Sequence, residues 1–169
     1  MKTLVVGATG LVGQEICRQL RDAGRSVRAL VRQTSDPVKR AGLEKLGVEL
    51  IEGDLKDPAS LARACAGVQS VVSTASSTLS RQAGDSIESV DQEGQLSLVE
   101  AARKAGVEHF VFVSFRDNPR IQFPLTIAKR AVERALKGSG MAYTILQASY
   151  FMEVWLSTGL GFAAADGKV

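Results

Sequence analysis

Histidine and cysteine are scarce in this chain. The two together supply most zinc ligands, and cysteine alone forms disulfides. It has one histidine, His109, and two cysteines, Cys17 and Cys65, among 169 residues. A lone histidine without paired cysteines does not indicate a zinc site, so we expect no metal and treat His109 as structural. Both cysteines fall in segments with helical spacing, which favours two free thiols in a reducing compartment.

Long apolar runs and a dominant charge are also missing. No run reaches the roughly 18 apolar residues of a bilayer-spanning helix, and the first residues enter a strand pattern without the layout of a signal peptide. The 21 basic residues exceed the 18 acidic ones by only three, and aromatic residues do not interleave with them. A nucleic-acid surface is therefore not indicated, and we expect a cytoplasmic globular protein with no nucleic-acid or membrane partner.

A regular alternation of strand and helix patterns runs through the chain. Short apolar runs that end in glycine or small polar residues are typical of buried parallel strands. Strands are predicted at 3–6, 26–32, 48–52, 68–73, 110–114 and 143–146, and helices at 11–23, 37–46, 58–65, 86–105 and 125–137. Such repeated βαβ units predict an α/β fold, a doubly wound parallel sheet of order 3-2-1-4-5-6 in the Rossmann arrangement.

Helical spacing also predicts which side chains of two helices face the sheet. The predicted buried positions are Leu11, Val12, Ile16 and Leu20 on the first helix, and Ile127, Ala131 and Leu136 on the last.

Glycines punctuate the turn between the first strand and the first helix. With an apolar strand before it and an amphipathic helix after it, the turn has the setting in which glycines let a pyrophosphate approach the backbone and a helix N-terminus. The alternative is an ordinary strand-to-helix turn that binds nothing. The residues predicted to bind a nicotinamide dinucleotide here are Gly7, Thr9, Gly10, Leu11, Val12 and Gly13.

The end of the second strand selects between the two dinucleotides. An acidic residue there would hold the ribose 2′-hydroxyl of NAD, whereas this chain has Arg32, which suits the 2′-phosphate of NADP. Lys39 could add a second positive charge. The alternative is that Arg32 is a solvated surface residue. We expect NADP(H), with NAD(H) less favoured.

Further cofactor residues are predicted where the third and fourth strands end. Asp54 could accept from the adenine amino group, or it could cap the next helix, although Asp57 already suits that role. Small residues after the fourth strand would leave room for the ribose and diphosphate. The predicted positions are Asp54, Leu55, Ser73, Thr74 and Ala75.

Several motifs together resemble the extended and atypical short-chain dehydrogenase/reductase superfamily: GATGLVGQEI, LVR, GDLKDPASL and AGV. Within it, FPLTIAKRAVERALKGSGMAYTIL followed by YFMEVW resembles the NmrA-like family. That family includes isoflavone-reductase-like enzymes, quinone and triphenylmethane reductases, and redox-sensing regulators. The resemblance implies NAD(P) binding and, for members that turn over, hydride transfer.

The resemblance assigns catalytic roles to two residues, and this chain departs from the family pattern at a third. Ser114 stands where the superfamily often has its catalytic serine, and Lys129 matches the lysine that binds the nicotinamide ribose and assists proton transfer. Leu125 replaces the usual tyrosine, so Tyr150 is the candidate substitute donor. Each has a plain alternative: a strand-end serine, a surface lysine and a structural tyrosine.

The family also implies a smaller C-terminal lobe that sets the substrate. We expect residues 1–156 to form the NAD(P)-binding domain and residues 157–169 to begin a truncated or disordered lobe. Gln147 and Ala148 stand where the family more often has Arg-Pro. An apolar cluster near the end is predicted to pack on the core or the lobe: Phe151, Met152, Trp155 and Leu156.

Two function classes remain open from the sequence. One is an NADPH-dependent reductase of a small carbonyl, quinone or related acceptor. The other is a binding protein that senses NADP(H) without turnover and passes the signal to a protein partner. Leu125 disfavours a third class, the sugar-nucleotide epimerases.

Overall fold

The computed structural model of the protein describes residues 1–78, 82–116, 122–149 and 151. Its elements alternate as the sequence predicts. The strands are β1 (Lys2–Val6), β2 (Ser26–Val31), β3 (Glu49–Glu52), β4 (Ser70–Ser73), β5 (His109–Phe115) and β6 (Ala142–Ala148). The helices are α1 (Leu11–Asp22), α2 (Pro37–Lys45), α3 (Pro58–Cys65), α4 (Gln95–Lys104) and α5 (Pro124–Lys137), and a π-helical segment, Ile87–Gly94, leads into α4.

The described strands form one parallel sheet of order β3-β2-β1-β4-β5-β6, which confirms the predicted arrangement. The chain builds outward from β1 to β3, then crosses back to place β4 on the other side of β1. That crossing makes the carboxyl ends of β1 and β4 the switch point of the sheet, where open α/β sheets bind their ligands.

Two apolar cores lie on the two faces of the sheet. Leu4 and Val6 of β1 belong to the larger core, beneath α3, α4 and α5, and Val5 points into the smaller one, beneath α1 and α2. This alternation follows from the two-residue period of a strand. Cys17 is buried in the smaller core and Cys65 in the larger, both as free thiols.

The predicted buried face of α1 is wrong at Leu11. Leu11 is 58% exposed, and the residues fully buried on this helix are Gly13 and Cys17. Val12, Ile16 and Leu20 are half-buried beside them. The helix turns its glycine toward β1 because the absence of a side chain there lets the two backbones approach closely.

The predicted buried face of α5 is wrong at Ile127, which is 51% exposed. Ala131 is half-buried, and Leu136 is buried as predicted. The buried face carries Thr126, Ala128, Lys129, Val132, Glu133 and Leu136. Apolar spacing alone could not find this face, because two of its members, Lys129 and Glu133, are ionisable residues whose partners lie in the interior.

The helix predicted for 86–105 begins with the π-helical segment rather than with α-helix. Ser86 caps it by accepting from the Ser89 amide. Gly94 then passes so close to Leu55 that a Cβ there would lie 2.8 Å from the Leu55 Cβ. The wider turns direct Asp91 and Gln95 inward, and both are completely buried. Such π-helical turns are frequently found at functional sites.

The predicted helix from 149 onward, the apolar residues Met152, Trp155 and Leu156, and the predicted lobe at 157–169 lie outside the described residues. Within the described part, no helix has the length and hydropathy needed to cross a membrane. The same residues contain no cluster of three or more histidine, cysteine or acidic side chains able to hold a metal.

Candidate functional site

A cavity of about 850 Å³ opens at the switch point, over the carboxyl ends of β1 to β4. This volume falls in the range of roughly 300–1,000 Å³ typical of ligand and cofactor sites. In the part of the chain that the structure describes, Gly13, Ser73, Ser114 and Lys129 lie outside its lining. The predicted cofactor residues that line it are Gly7, Thr9, Gly10, Leu11, Val12, Arg32, Asp54, Leu55, Thr74 and Ala75.

The turn after β1 needs glycine at Gly7 and Gly13. Gly7 has φ +86°, and a Cβ there would lie 2.7 Å from both the Ala75 nitrogen and the Thr74 Oγ1. A Cβ on Gly13 would overlap the carbonyl oxygen of Gly7. The turn therefore packs closely against the loop after β4 at Gly7 and against the start of α1 at Gly13.

Helix α1 begins without a capping side chain. Its N-cap is Gly10, and the first main-chain bond of the helix runs from the Gln14 N–H to the Gly10 carbonyl at 3.0 Å. The amides of the first turn and the positive end of the helix dipole are therefore available to an anion at the cavity. A bare glycine turn followed by an uncapped helix fits a pyrophosphate.

Arg32 follows β2 directly and lines the cavity, as predicted, but it is paired. Its Nη1 lies 2.6 Å from Oδ2 of Asp85, whose side chain is only 1% exposed. Burial would raise the pKa of Asp85, but the hydrogen bonds from Lys56, the Gln82 amide and Arg32 outweigh it and hold that pKa at about 2. The partnership with Asp85 has no signal in the sequence, because more than fifty positions separate the two residues.

The loop between β2 and α2 carries the second predicted cation. The pair Asp36-Pro37 has the pattern of an N-cap followed by proline at the first helical position. Asp36 caps α2 in this way, by accepting from the Val38 and Lys39 amides. This cap puts Lys39 in the first turn of α2, at the cavity. Two basic residues therefore face this end of the cavity, with Arg32 partly neutralised by Asp85.

Asp54 lines the cavity and also shapes the turn after β3. Its Oδ1 accepts from the Lys56 amide at 2.8 Å, and its Oδ2 lies 3.1 Å from the Lys56 Nζ. Asp57, not Asp54, caps α3, by accepting from the Ala59 amide. Asp54 is therefore free of the capping role, and its predicted contact with adenine stays a prediction.

The residues at the end of β4 have two roles: Thr74 and Ala75 line the cavity, and Ser73 supports them from behind. Thr74 continues the sheet by donating its amide to the Val6 carbonyl at 2.9 Å, and it lines the cavity with Ala75. Ser73 is fully buried behind that wall, where its Oγ donates to Gln95 Oε1 at 2.8 Å. Gln95 in turn donates to the Ala75 carbonyl at 3.0 Å. Ser73 therefore supports the wall, and Gln95 is a support that sequence reasoning missed.

Lys129 is buried rather than exposed, which excludes the surface-lysine interpretation. Its Nζ lies 3.3 Å from Oδ1 of Asp91 and 5.0 Å from the centre of the Phe112 ring. Burial lowers the pKa of Lys129 below its usual value, while Asp91 opposes that shift. Asp91 was missed because it is one of four acids in a polar stretch (DSIESVDQEG), and nothing in the spacing shows which of them turns inward.

Asp91 is itself held from the loop after β4. The amide and the hydroxyl of Ser77 both donate to its Oδ2, at 2.9 and 2.7 Å. Ser76 and Thr78, on either side of Ser77, line the cavity. The contacts of Asp91 with Lys129 and with Ser77 therefore link Lys129 to the cavity wall.

Ser114 lies in a separate buried network. Its hydroxyl donates to Glu133 Oε1 at 2.6 Å, and Arg130 Nη2 lies 3.0 Å from the same carboxylate. Gln147, one of the two departures from the family pattern, donates to Glu133 at 3.2 Å. Neither Glu133 nor Arg130 was predicted. The network ties β5, α5 and β6 together, and the catalytic role of Ser114 stays a prediction.

The remaining candidates are Leu125, Tyr150 and His109. Leu125 is half-buried in the first turn of α5, so no tyrosine hydroxyl is available one turn before Lys129. Tyr150 lies outside the described residues, while the adjacent Phe151 lines the cavity. His109 lies at the amino end of β5, away from the carboxyl ends where the cavity opens, and its Nε2 lies 2.9 Å from the Thr144 Oγ1.

Residues 1–167 match the model of the NmrA-like family. The chain belongs to this family. The match confirms the resemblance predicted from the sequence motifs.

Similar proteins carry several different functions. The photosystem II assembly factor Ycf39 of Cyanophora paradoxa is 38% identical over 90% of this chain and 46% of that protein. The NAD(P)H azoreductase of Xenophilus azovorans is 34% identical over 89% of this chain and 48% of that protein. The triphenylmethane reductase of Citrobacter sp., solved in complex with NADP(H), is 27% identical with a TM-score of 0.75, covering 99% of this chain and 56% of that one. The NmrA-like chain thus spans about half the length of these relatives.

Proposed function

We propose that this chain binds NADP(H) in the switch-point cavity and works as an NADPH-dependent reductase of a small carbonyl, quinone or related acceptor. The observation that carries the proposal is the glycine turn: Gly7 and Gly13 let the turn pack tightly against the loop after β4 and against α1, and the uncapped N-terminus of α1 at Gly10 lies at the cavity. The Citrobacter relative, of the same fold, was solved with NADP(H).

Different residues of the cavity are proposed to contact different parts of the dinucleotide. The turn at Gly7–Gly13 holds the pyrophosphate through backbone amides, and Arg32 and Lys39 face the 2′-phosphate. Asp54 and Leu55 lie at the adenine end, and Thr74 and Ala75 form the wall beside the diphosphate. In general, the backbone amides of such a turn bind the pyrophosphate, and the side chain at the end of the second strand selects between NAD and NADP.

Reduced nicotinamide, when bound, supplies the hydride, and the protein must then supply position and a proton. Lys129 is the proposed source, since burial lowers its pKa below the usual value and so eases loss of a proton. Asp91 holds the amine, and Ser77 holds Asp91. Water and Tyr150 are the alternative donors, and Ser114 is proposed to assist at the acceptor.

A sensor without turnover is the second candidate, and Leu125 favours it. With leucine in the tyrosine position, the usual donor hydroxyl is missing one turn before Lys129. In addition, the Ser114 hydroxyl is already donating to Glu133. A sensor would pass the NADP(H) state to a protein partner. For either function, we propose a reducing, cytoplasmic compartment, in keeping with two buried free thiols.

A turnover assay separates the two candidates. NADPH oxidation is followed with a panel of quinones, azo dyes, triphenylmethane dyes and small carbonyls, for the parent chain, Lys129→Met and Lys137→Met. Lys137 is an exposed lysine at the end of the same helix and serves as the matched control. A reductase turns over at least one acceptor, and Lys129→Met slows that step while Lys137→Met does not.

NADPH that binds but is never oxidised would contradict the reductase. Unequal affinities for NADPH and NADP would then favour the sensor.

A further inference from the structure

The arginine at the proposed 2′-phosphate position already has an anionic partner. Arg32 contacts Asp85 through Nη1 at 2.6 Å, while Asp85 also accepts from the Gln82 amide at 3.0 Å and from the Lys56 Nζ at 2.5 Å. The Arg32 side chain is 28% exposed and that of Asp85 only 1%. The carboxylate therefore lies beneath the guanidinium, which lines the cavity.

We propose that Asp85 is a specificity-determining residue that competes with the ribose 2′-phosphate for Arg32. The inference rests on the proposed function, since it concerns the same cavity and cofactor. Carboxylate and phosphate are both oxygen anions that the arginine fork binds through charge-assisted hydrogen bonds. Two such anions on one guanidinium repel each other at short range. A ligand with a 2′-phosphate must therefore draw Arg32 away from Asp85, whereas a ligand with a free 2′-hydroxyl need not.

The surroundings of Asp85 make this exchange feasible. A buried carboxylate stripped of every partner would be strongly destabilised, but Asp85 keeps Lys56 and the Gln82 amide when Arg32 turns away. Arg32 is more exposed than its partner and has room to move. The consequence is a chain whose preference for a 2′-phosphate is weaker than Arg32 alone would produce.

The other two acids in the cavity lining have different partners. Asp36 caps α2 through the Val38 and Lys39 amides, and Asp54 pairs with Lys56. Among the described residues, Asp85 is the carboxylate in contact with Arg32. Removing the charge of Asp85 therefore tests the competition directly.

The experiment measures binding, with no need for turnover. Parent chain, Asp85→Asn and Glu52→Gln are titrated calorimetrically with NADPH and NADH, and with adenosine 2′,5′-bisphosphate and AMP as fragments. Asparagine keeps the shape and can still accept from Gln82. Glu52, an exposed acid at the end of β3 that pairs with Arg40, is the matched control for loss of one negative charge.

We expect Asp85→Asn to bind NADPH and the bisphosphate about fivefold tighter or more, a change of roughly 1 kcal/mol. NADH and AMP should bind as they do to the parent chain, and Glu52→Gln should change neither pair. Asp85→Ser repeats the test if circular dichroism shows that the asparagine variant is unfolded.

Equal or weaker binding of NADPH by Asp85→Asn would overturn the inference, because Asp85 would then be orienting Arg32 rather than competing for it. Equal gains for NADPH and NADH would overturn it too. If the parent chain binds no dinucleotide, the proposed function itself fails and the inference falls with it.

Discussion

Lys129 and Asp91 form an ion pair in the interior, with side chains 6% and 0% exposed. Removal of both charges from water is costly, and the pair offsets that cost only while both members are present. Asp91 also accepts twice from Ser77. A change at Asp91 that keeps these hydrogen bonds and removes only the charge isolates the ion pair.

Asp91→Asn should lower the free energy of unfolding by about 3 kcal/mol near neutral pH, because it leaves a buried ammonium unpaired. The pKa of Lys129 is already below 10.5 in the folded chain and should fall further in the variant. Between the pKa of Lys129 in the folded variant and its higher pKa in the unfolded chain, the unfolded state binds one more proton. The free energy of unfolding therefore rises with pH across that window. Urea denaturation at several pH values measures this.

The double variant Asp91→Asn/Lys129→Met provides the control. With no charge left to bury, it should recover much of the lost stability and lose the pH dependence between neutrality and the pKa of a free lysine. If Asp91→Asn is as stable as the parent at neutral pH, the ion pair does not stabilise the fold and Lys129 is not held as described.

At the scale of single residues, the sequence predicted positions better than partners. Arg32 follows β2 and lines the cavity as predicted. Its partner Asp85 and the partner of Lys129, Asp91, were not predicted. Such pairings depend on how distant segments pack, and residue type and spacing carry information only along the chain.

The turn and helix α1 act as one element, since Gly13 is where the helix rests against the turn. A methyl group at Gly13 would meet the Gly7 carbonyl and push α1 away from β1. The same addition at Gly42, in the middle of α2, meets nothing within 4 Å. The two positions therefore separate packing against the turn from the general effect of glycine in a helix.

Gly13→Ala should destabilise the chain by about 2–3 kcal/mol, as overpacking does, and should abolish dinucleotide binding. Gly42→Ala should instead add up to about 1 kcal/mol, because alanine restricts the unfolded chain and favours helix. Thermal denaturation and NADPH titration of both variants test this. Unimpaired NADPH binding by Gly13→Ala would contradict the role assigned to the turn.

At the scale of elements, the capping residues were predictable and the inward faces were not. Asp36 and Asp57 cap α2 and α3 where the Asp-Pro pairs predict it. The π-helical segment and the polar inward face of α5 escaped prediction. Both depend on Asp91, Lys129 and Glu133 finding partners in the interior, which apolar periodicity cannot register.

At the scale of the whole molecule, the sheet lies between two apolar cores, one on each face. Burial raises the pKa of the Cys17 and Cys65 thiols to about 11, and each belongs to a different core. Neither thiol should react in the folded chain, since the thiolate is the reactive form and both are enclosed.

Thiol labelling therefore tests whether the two faces unfold together. In the single-cysteine variants Cys17→Ala and Cys65→Ala, the remaining thiol should react at the same rate at each urea concentration, as expected of a cooperative domain. A difference of about tenfold or more between them would show that one face opens by itself.

The sheet order and the position of the cavity were predictable for the whole molecule. They follow from strand–helix alternation, right-handed crossovers and the switch-point rule. The identity of the proposed acceptor was not predictable, because the sequence motifs concern the dinucleotide and the chain spans about half the length of the relatives it matches.

The most direct test of the account is calorimetric titration with NADPH, NADP, NADH and NAD, for the parent chain, Arg32→Ala and Arg25→Ala. Arg25 is an exposed arginine at the opposite end of β2 and serves as the control. We predict that the 2′-phosphorylated forms bind more tightly, and that Arg32→Ala removes about 1.4 kcal/mol or more of that preference, equal to a factor of ten. Arg25→Ala should leave it unchanged. Failure of all four to bind, or a preference that survives Arg32→Ala, would contradict the account.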